Sequence, residues 1–285
     1  MCTKGEGIAE LLEDDPVTTK AGNAYLTVLE MWIGYFVDQG RDYLKQGDNP
    51  KELIRAWGDM LMHEVQELKG SPVDCYASYE HLMNYWAETM QDDCYLISRD
   101  GWKVELLPPA KKNASWEDYV CDLLPVQVVV NESYINERDK ISSLKVALEE
   151  NAAALAEIDE RLEEENSEED VDEEALVEER KNLDKKAKAR RKQIKAANDD
   201  LVQKLVKDYA TMNEQSIRHY VVETKWAEAL RARFQGELTR AKAQIVTDVK
   251  SLADRYAETL PDAEAKVREL EKKVAGHLAA MGVEV

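Results

Sequence analysis

Through the second half of the chain, apolar residues recur at alternating spacings of three and four, a rhythm that restricts this region to long helices with one face to bury. Ile141, Leu144, Leu148, Leu155, Ile158 and Leu162 form one seam, with Asn151 standing where the next apolar residue is due. A polar residue there either fixes register or partner at some cost in stability, or marks a solvent-facing break in an imperfect seam. Ala187, Ile194, Ala197, Leu201 and Leu205 stripe a second helix, thinned where Arg190 takes a heptad site. Trp226, Leu230, Phe234, Leu238, Ile245, Val249, Leu252 and Tyr256 mark a third face, broken at Leu260-Pro261, and Val267, Leu270, Val274, Leu278 and Met281 mark a fourth. The third and fourth faces hold more apolar surface than two helices need for burying each other, so further helices must join them, from the chain or from a partner.

The charges between the seams bear on how the helices return. Glu163 to Glu174 contain nine acids and no base, which suits an exposed turn. The arm before it is acidic, whereas the arm after it carries Lys185, Lys186, Lys188, Arg190, Arg191, Lys192 and Lys195. An antiparallel helical hairpin pairing the two arms is the simplest solution. Seven cations in eleven residues can neutralise phosphates, but no aromatics interleave them and the neighbouring arm is acidic. Intramolecular ion pairing on a solvated helix is therefore favoured over direct DNA contact.

The first half is also largely helical. Tyr25, Leu26, Leu29, Trp32, Ile33, Phe36 and Val37 mark a helix from Asn23 to Lys45, with Gly34 and Gly40 as points that bend or end it. Asp48-Asn49-Pro50 caps and starts a second, whose face is Leu53, Ile54, Trp57, Leu61, Val65 and Leu68. Tyr79, Leu82, Met83, Trp86 and Met90 give a third. After Gln91-Asp92-Asp93, read as solvated acids ending that helix, Tyr95 to Ser98 and Trp102 to Leu106 read as strands joined through Asp100-Gly101, a pair suited to a type I′ turn. Trp86 and Trp102 are expected in the core. Pro125 to Val130 reads as a short β-strand or an extended connector.

The predicted fold is mainly α: a poorly ordered tail at 1–24, a helical subdomain with a small β-hairpin at 25–106, a linker at 107–135, a long helical hairpin at 136–210 with its acidic turn near 163–175, and C-terminal helices at 211–285 completing a coiled-coil-like bundle. With 285 residues, 44% of them hydrophobic, the chain can build a core. Its net charge of −20 argues against the chain as a whole being an autonomous nucleic-acid binder. Cys2, Cys75, Cys94 and Cys121 lack metal or disulfide spacing, and no segment reads as a membrane span or leader, so a cytoplasmic location is expected. His63-Glu64 lacks the second histidine of a zinc-protease helix, and His219 reads as an interhelical packing residue.

Several strings go beyond class. His81 to Val104 (HLMNYWAETMQDDCYLISRDGWKV) closely resembles a block in the C-terminal part of the methyltransferase subunit of type I DNA restriction-modification systems. Val221 to Leu230 (VVETKWAEAL), Gly236 to Arg240, Leu252 to Pro261 (LADRYAETLP) and His277 to Gly282 (HLAAMG) are similar to stretches at that subunit's end, and a weaker likeness runs from Val28 through Glu67. Members of that family methylate adenine N6 with S-adenosylmethionine, through a glycine-containing loop and an Asn/Asp-Pro-Pro-Phe/Tyr motif. Neither is present, since Leu107-Pro108-Pro109-Ala110 lacks both the polar residue and the aromatic. The resemblance thus implies no catalytic, cofactor or metal site in this chain, which is expected to be a C-terminal fragment, a split-gene product or a derived helical half.

By the same resemblance, the long helices dock on the specificity subunit of a complex that also holds other methyltransferase or restriction subunits, and DNA is met only through that assembly. The partner-facing residues are expected among Ile141, Leu148, Asn151, Leu155, Trp226, Leu238, Ile245, Leu252, Val267, Leu270 and Val274. Unpartnered, such seams permit self-association. The rival reading is an acidic DNA mimic, or a decoy that titrates the specificity subunit in anti-restriction.

Overall fold

A computed structural model of the chain describes residues 15–111, 114–164, 173–256 and 260–281. These form helices α1 (Pro16–Tyr43), α2 (Pro50–Gln66), α3 (Cys75–Tyr85), α4 (Gln91–Asp100), α5 (Val126–Ser133), α6 (Ile135–Glu164), α7 (Glu173–Thr211), α8 (Glu214–Arg218), α9 (Glu228–Arg255) and α10 (Leu260–Ala280). Two π-helical segments, Trp86–Met90 and His219–Ala227, continue α3 into α4 and α8 into α9. The mainly α reading holds. None of the described helices is long and apolar enough to cross a membrane.

The first helix starts at Pro16, where the Asp15 carboxylate accepts from the Thr18 N–H at 2.8 Å. It passes unbroken through Gly34 and Gly40, contrary to the expected bend. Gly40 has a steric reason to be there, since a Cβ would stand 3.1 Å from Val222 Cγ1 and 3.6 Å from the Trp57 ring. The expected cap of α2 is present, with Asn49 Oδ1 accepting from the Lys51 N–H. Residues 165–172 of the expected acidic turn lie outside the described residues, as does most of the expected N-terminal tail.

The β-hairpin does not form. Residues 95–100 belong to α4, because Leu82, Trp86, Met90, Cys94 and Ile97 keep one apolar line at spacings of four and three, and all five are buried. Gly101, at φ +77°, donates its N–H to the Ile97 carbonyl at 2.8 Å. The Asp-Gly pair therefore ends a helix, where a positive φ is equally in demand. Val126 to Val130 is likewise helical rather than extended: Val126, Val129 and Val130 are buried at helical spacing behind Pro125. The one extended pairing among the described residues is an antiparallel bridge between Leu107 and Val120.

The chain divides into two compact units, one of residues 1–32, 58–83 and 231–285, the other of 33–57 and 84–230. In the first, Trp32 meets Phe234 edge-on with ring centroids 5.9 Å apart. The Tyr25 hydroxyl bonds Ser78 Oγ at 2.9 Å, and burial pushes its pKa up to about 12. His81 Nε2 reaches Glu237 at 3.0 Å, and Arg240 closes the same carboxylate, holding Glu237 below its ordinary pKa.

In the second unit, Phe36 packs on Trp57 and Trp226, with ring centroids 4.5 and 6.4 Å away. Trp102 is in the core as expected: its indole N–H donates to the Leu44 carbonyl at 2.9 Å, and the Arg218 guanidinium lies 4.7 Å from its ring centre. Helices α6 and α7 form the antiparallel hairpin. Lys204 pairs with Glu137 at 2.9 Å near one end and Arg180 with Asp159 at 2.6 Å toward the other. Ile141, Ile158, Leu176, Ala187, Leu201 and Leu205 are buried along it.

Candidate partner-binding site

Two features are candidates for function: a polar node built on the π-helical segments of the second unit, and an apolar stripe left open on the first. A π turn takes in an extra residue, which shifts the side chains after it around the axis and frees groups for new bonds. Asp93, in the first turn of α4, accepts from Lys225 Nζ and Trp226 Nε1, both at 2.7 Å. Lys225 also donates to the Leu123 carbonyl at 2.9 Å, and its own carbonyl accepts from the Tyr85 hydroxyl at 3.0 Å. Asp93 is thus a buried ion-pair member and not the solvated acid the sequence implied. Burial raises its pKa, opposed by Lys225 and the Trp226 indole.

The same long π segment carries His219, whose Nε2 lies 2.7 Å from Glu132 Oε1 and whose Nδ1 lies 3.2 Å from Glu223 Oε2. With a carboxylate on each nitrogen, both must donate, so the ring favours the imidazolium. The Glu132 contact, against some desolvation, raises the His219 pKa. Burial pushes Glu132 upward, but the Thr224 hydroxyl and His219 together hold it below its ordinary value. His219 is therefore a half-exposed electrostatic bridge from α5 to the π segment, and not the packing residue expected. Beside it, Arg41, Asn213, Ser216, Tyr220 and Glu223 line a hollow of about 420 Å³. Among the described residues no group of three His, Cys, Asp or Glu side chains is placed to hold a metal ion.

The expected partner-facing residues fall into two sets. Ile141, Asn151, Trp226 and Leu238 are buried, and Leu148, Leu155 and Ile245 are half-buried. Asn151 is only 7% exposed, so it is no solvent-facing break. Its Nδ2 has no hydrogen-bond partner, and neither does Oδ1 of Asn198. Leu252, Val267, Leu270 and Val274 are exposed, from 49 to 59%. Helix α10 contains no buried residue at all, although Val267, Leu270, Val274, Leu278 and Met281 form one apolar line along it. Its polar side is solvated by pairs such as Glu264–Arg268 and Glu269–Lys273, which add only tenths of a kcal/mol to such a helix.

The basic cluster does not pair with the acidic arm. Arg190 donates to the Ala147 carbonyl, while Lys185, Lys186, Lys188, Arg191, Lys192 and Lys195 are exposed and make no ion pair with any described residue. The salt links between the arms come from Arg180 and Lys204, outside the cluster, because the lysines point off the seam. Sequence reasoning also missed the Asp93–Lys225 pair. The two residues are 132 positions apart, and only the unusual Asp-Asp beside an apolar run hinted at it.

No protein-family model, no curated protein and no solved structure matches this chain.

Proposed function

We propose that this chain is a helical assembly module, acting as the C-terminal part of a type I methyltransferase subunit does when it docks on the specificity subunit of a complex that methylates adenine N6 in DNA. One observation carries the reading: α10 presents a regular apolar line with none of its residues buried. A lone amphipathic helix of this length has little reason to persist in water without a surface to cover. Covering Val267, Leu270, Val274 and Met281 would contribute roughly 1.5 to 3 kcal/mol per side chain before the costs of association. The fitting partner is another helix pair whose apolar groove completes a bundle. The block from His81 to Val104 and the strings from Val221 to Gly282 support the identity of that partner. The adenine chemistry and S-adenosylmethionine then belong to another part of the assembly.

The test is co-expression with a type I specificity subunit and size exclusion in high salt. Co-elution of the parent chain, lost on Val267→Glu with Leu270→Glu and Val274→Glu at unchanged helicity, is the expected result. An unaltered complex with that variant would remove the stripe from the reading.

The excess of 58 acids over 38 lysines and arginines favours a second reading, an acidic mimic of DNA that occupies the DNA channel of a restriction enzyme. That activity would compete with DNA and fade steeply with salt. A decoy that titrates the specificity subunit would instead bind in a salt-tolerant way.

A further inference from the structure

Lys181, Lys185, Lys188, Lys192 and Lys195 follow one another along α7 at steps of four, three, four and three. At 100° per residue they lie on one strip, roughly 80 to 160° around the helix from the seam at Ala187, and about 21 Å long. All five are exposed, and none has an ion-pair partner among the described residues. Between Lys185 and Lys195, every charged neighbour at three or four positions within the cluster is another cation, an arrangement that loosens a helix rather than supporting it. Asp184 stands four residues before Lys188 and Asp199 four after Lys195, yet neither forms an ion pair with a lysine of the strip. The strip is a line of exposed positive charge that no ion pair among the described residues takes up.

We infer that this strip binds the phosphate backbone of duplex nucleic acid without regard to sequence. One strand of a duplex presents a charge about every 3.4 Å along the axis, so a strip of this length lies beside some six phosphates. Lysine meets them as a point charge on a flexible stem. The stretch from Lys181 to Lys195 has no aromatic residue to stack on a base. An acidic protein face fits less well, because protein interfaces centre on apolar anchors, and the exposed residues bordering the strip are Glu178, Ala189, Arg191, Ala196 and Asp199. The inference is independent of docking through α10, since the strip belongs to the other unit.

The experiment is fluorescence anisotropy of the full chain with a mixed-sequence DNA duplex of about 30 base pairs, titrated with salt from about 50 to 200 mM. The expected result is a log-log decline in affinity whose slope falls by about 2 to 3 in the variant Lys185→Gln, Lys188→Gln, Lys192→Gln. The arginine version of the same triple should restore the slope. A control with the same charge change, Lys250→Gln, Lys272→Gln, Lys273→Gln, should leave it where it was. Absence of duplex binding at the lowest salt, equal slopes for the two glutamine triples, a preference for one duplex sequence, or tighter binding of poly-glutamate than of the duplex would each overturn the inference.

Discussion

The α6–α7 hairpin and the region from Ile245 to Met281 are written in the same code of apolar residues three and four apart, and they end in opposite states. In the hairpin, each seam finds the other arm of the same chain, and Leu201 and Leu205 are excluded from water. In the C-terminal region the line emerges progressively: Ile245 and Val249 are half-buried, Leu252 is 49% exposed and Tyr256 70%. A seam thus states that a helix has something to cover, while the location of its complement is settled by what else the chain brings. The hairpin has a second, antiparallel arm in the same chain; α10 has no such arm among the described residues.

The sharpest way to break this contrast is one leucine on each side of it. Leu201→Ala should cost about 2 to 5 kcal/mol in urea unfolding, because it empties a filled site. Leu270→Ala should stay within about 0.5 kcal/mol in the unpartnered chain. Similar losses for the two would mean that α10 is covered after all.

A smaller effect comes from the polar residue inside the hairpin. Replacing Asn151 by Leu removes a buried amide whose Nδ2 has no partner, and should stabilise the chain by roughly 1 to 2 kcal/mol. A loss of stability would show that the amide fixes the register of the two arms, and circular dichroism with analytical ultracentrifugation would reveal any change of pairing.

The smallest effect is a pH dependence carried by the His219–Glu132 pair. His219 has a raised pKa, so its contribution is complete below the unfolded value of 6.5 and is lost as pH rises through the folded one. Glu132 has a lowered pKa, so its contribution is present above 4.5 and is lost as pH falls through its folded value. Stability should therefore form a shelf between these limits, with a fall on the alkaline side that His219→Gln abolishes. Both groups are partly exposed, which keeps the step under about 1 kcal/mol. An unchanged alkaline fall in that variant would assign it to another group.

The helices were legible because periodicity is a local property repeated many times. Leu53 through Leu68 and Ile141 through Ile158 declare their faces without reference to the rest of the chain. Asp100-Gly101 was misleading because a glycine with positive φ serves a hairpin turn and a helix end equally well, and only the continued line through Cys94 and Ile97 decides between them. The π segments left no trace, since one added residue per turn does not change composition. Asp93 and Lys225 were invisible as a pair because a sequence gives no distance between residues so far apart. The basic cluster was misjudged for a related reason: opposite charges on two arms pair only when they face each other, and heptad position, rather than net charge, decides that. In the C-terminal region the face was legible, but its emptiness was not.

Gly34 and Gly40 occupy the same helix, yet a Cβ at Gly34 would meet nothing within 4 Å whereas one at Gly40 would press on Val222. The two positions therefore tolerate a side chain differently. Alanine at the first would meet no neighbour and stiffen the helix, worth about 0.5 to 1 kcal/mol, while alanine at the second requires the widened turn opposite to yield by a few tenths of an ångström. One glycine leaves room that nothing uses, and the other is the clearance that lets two helices meet.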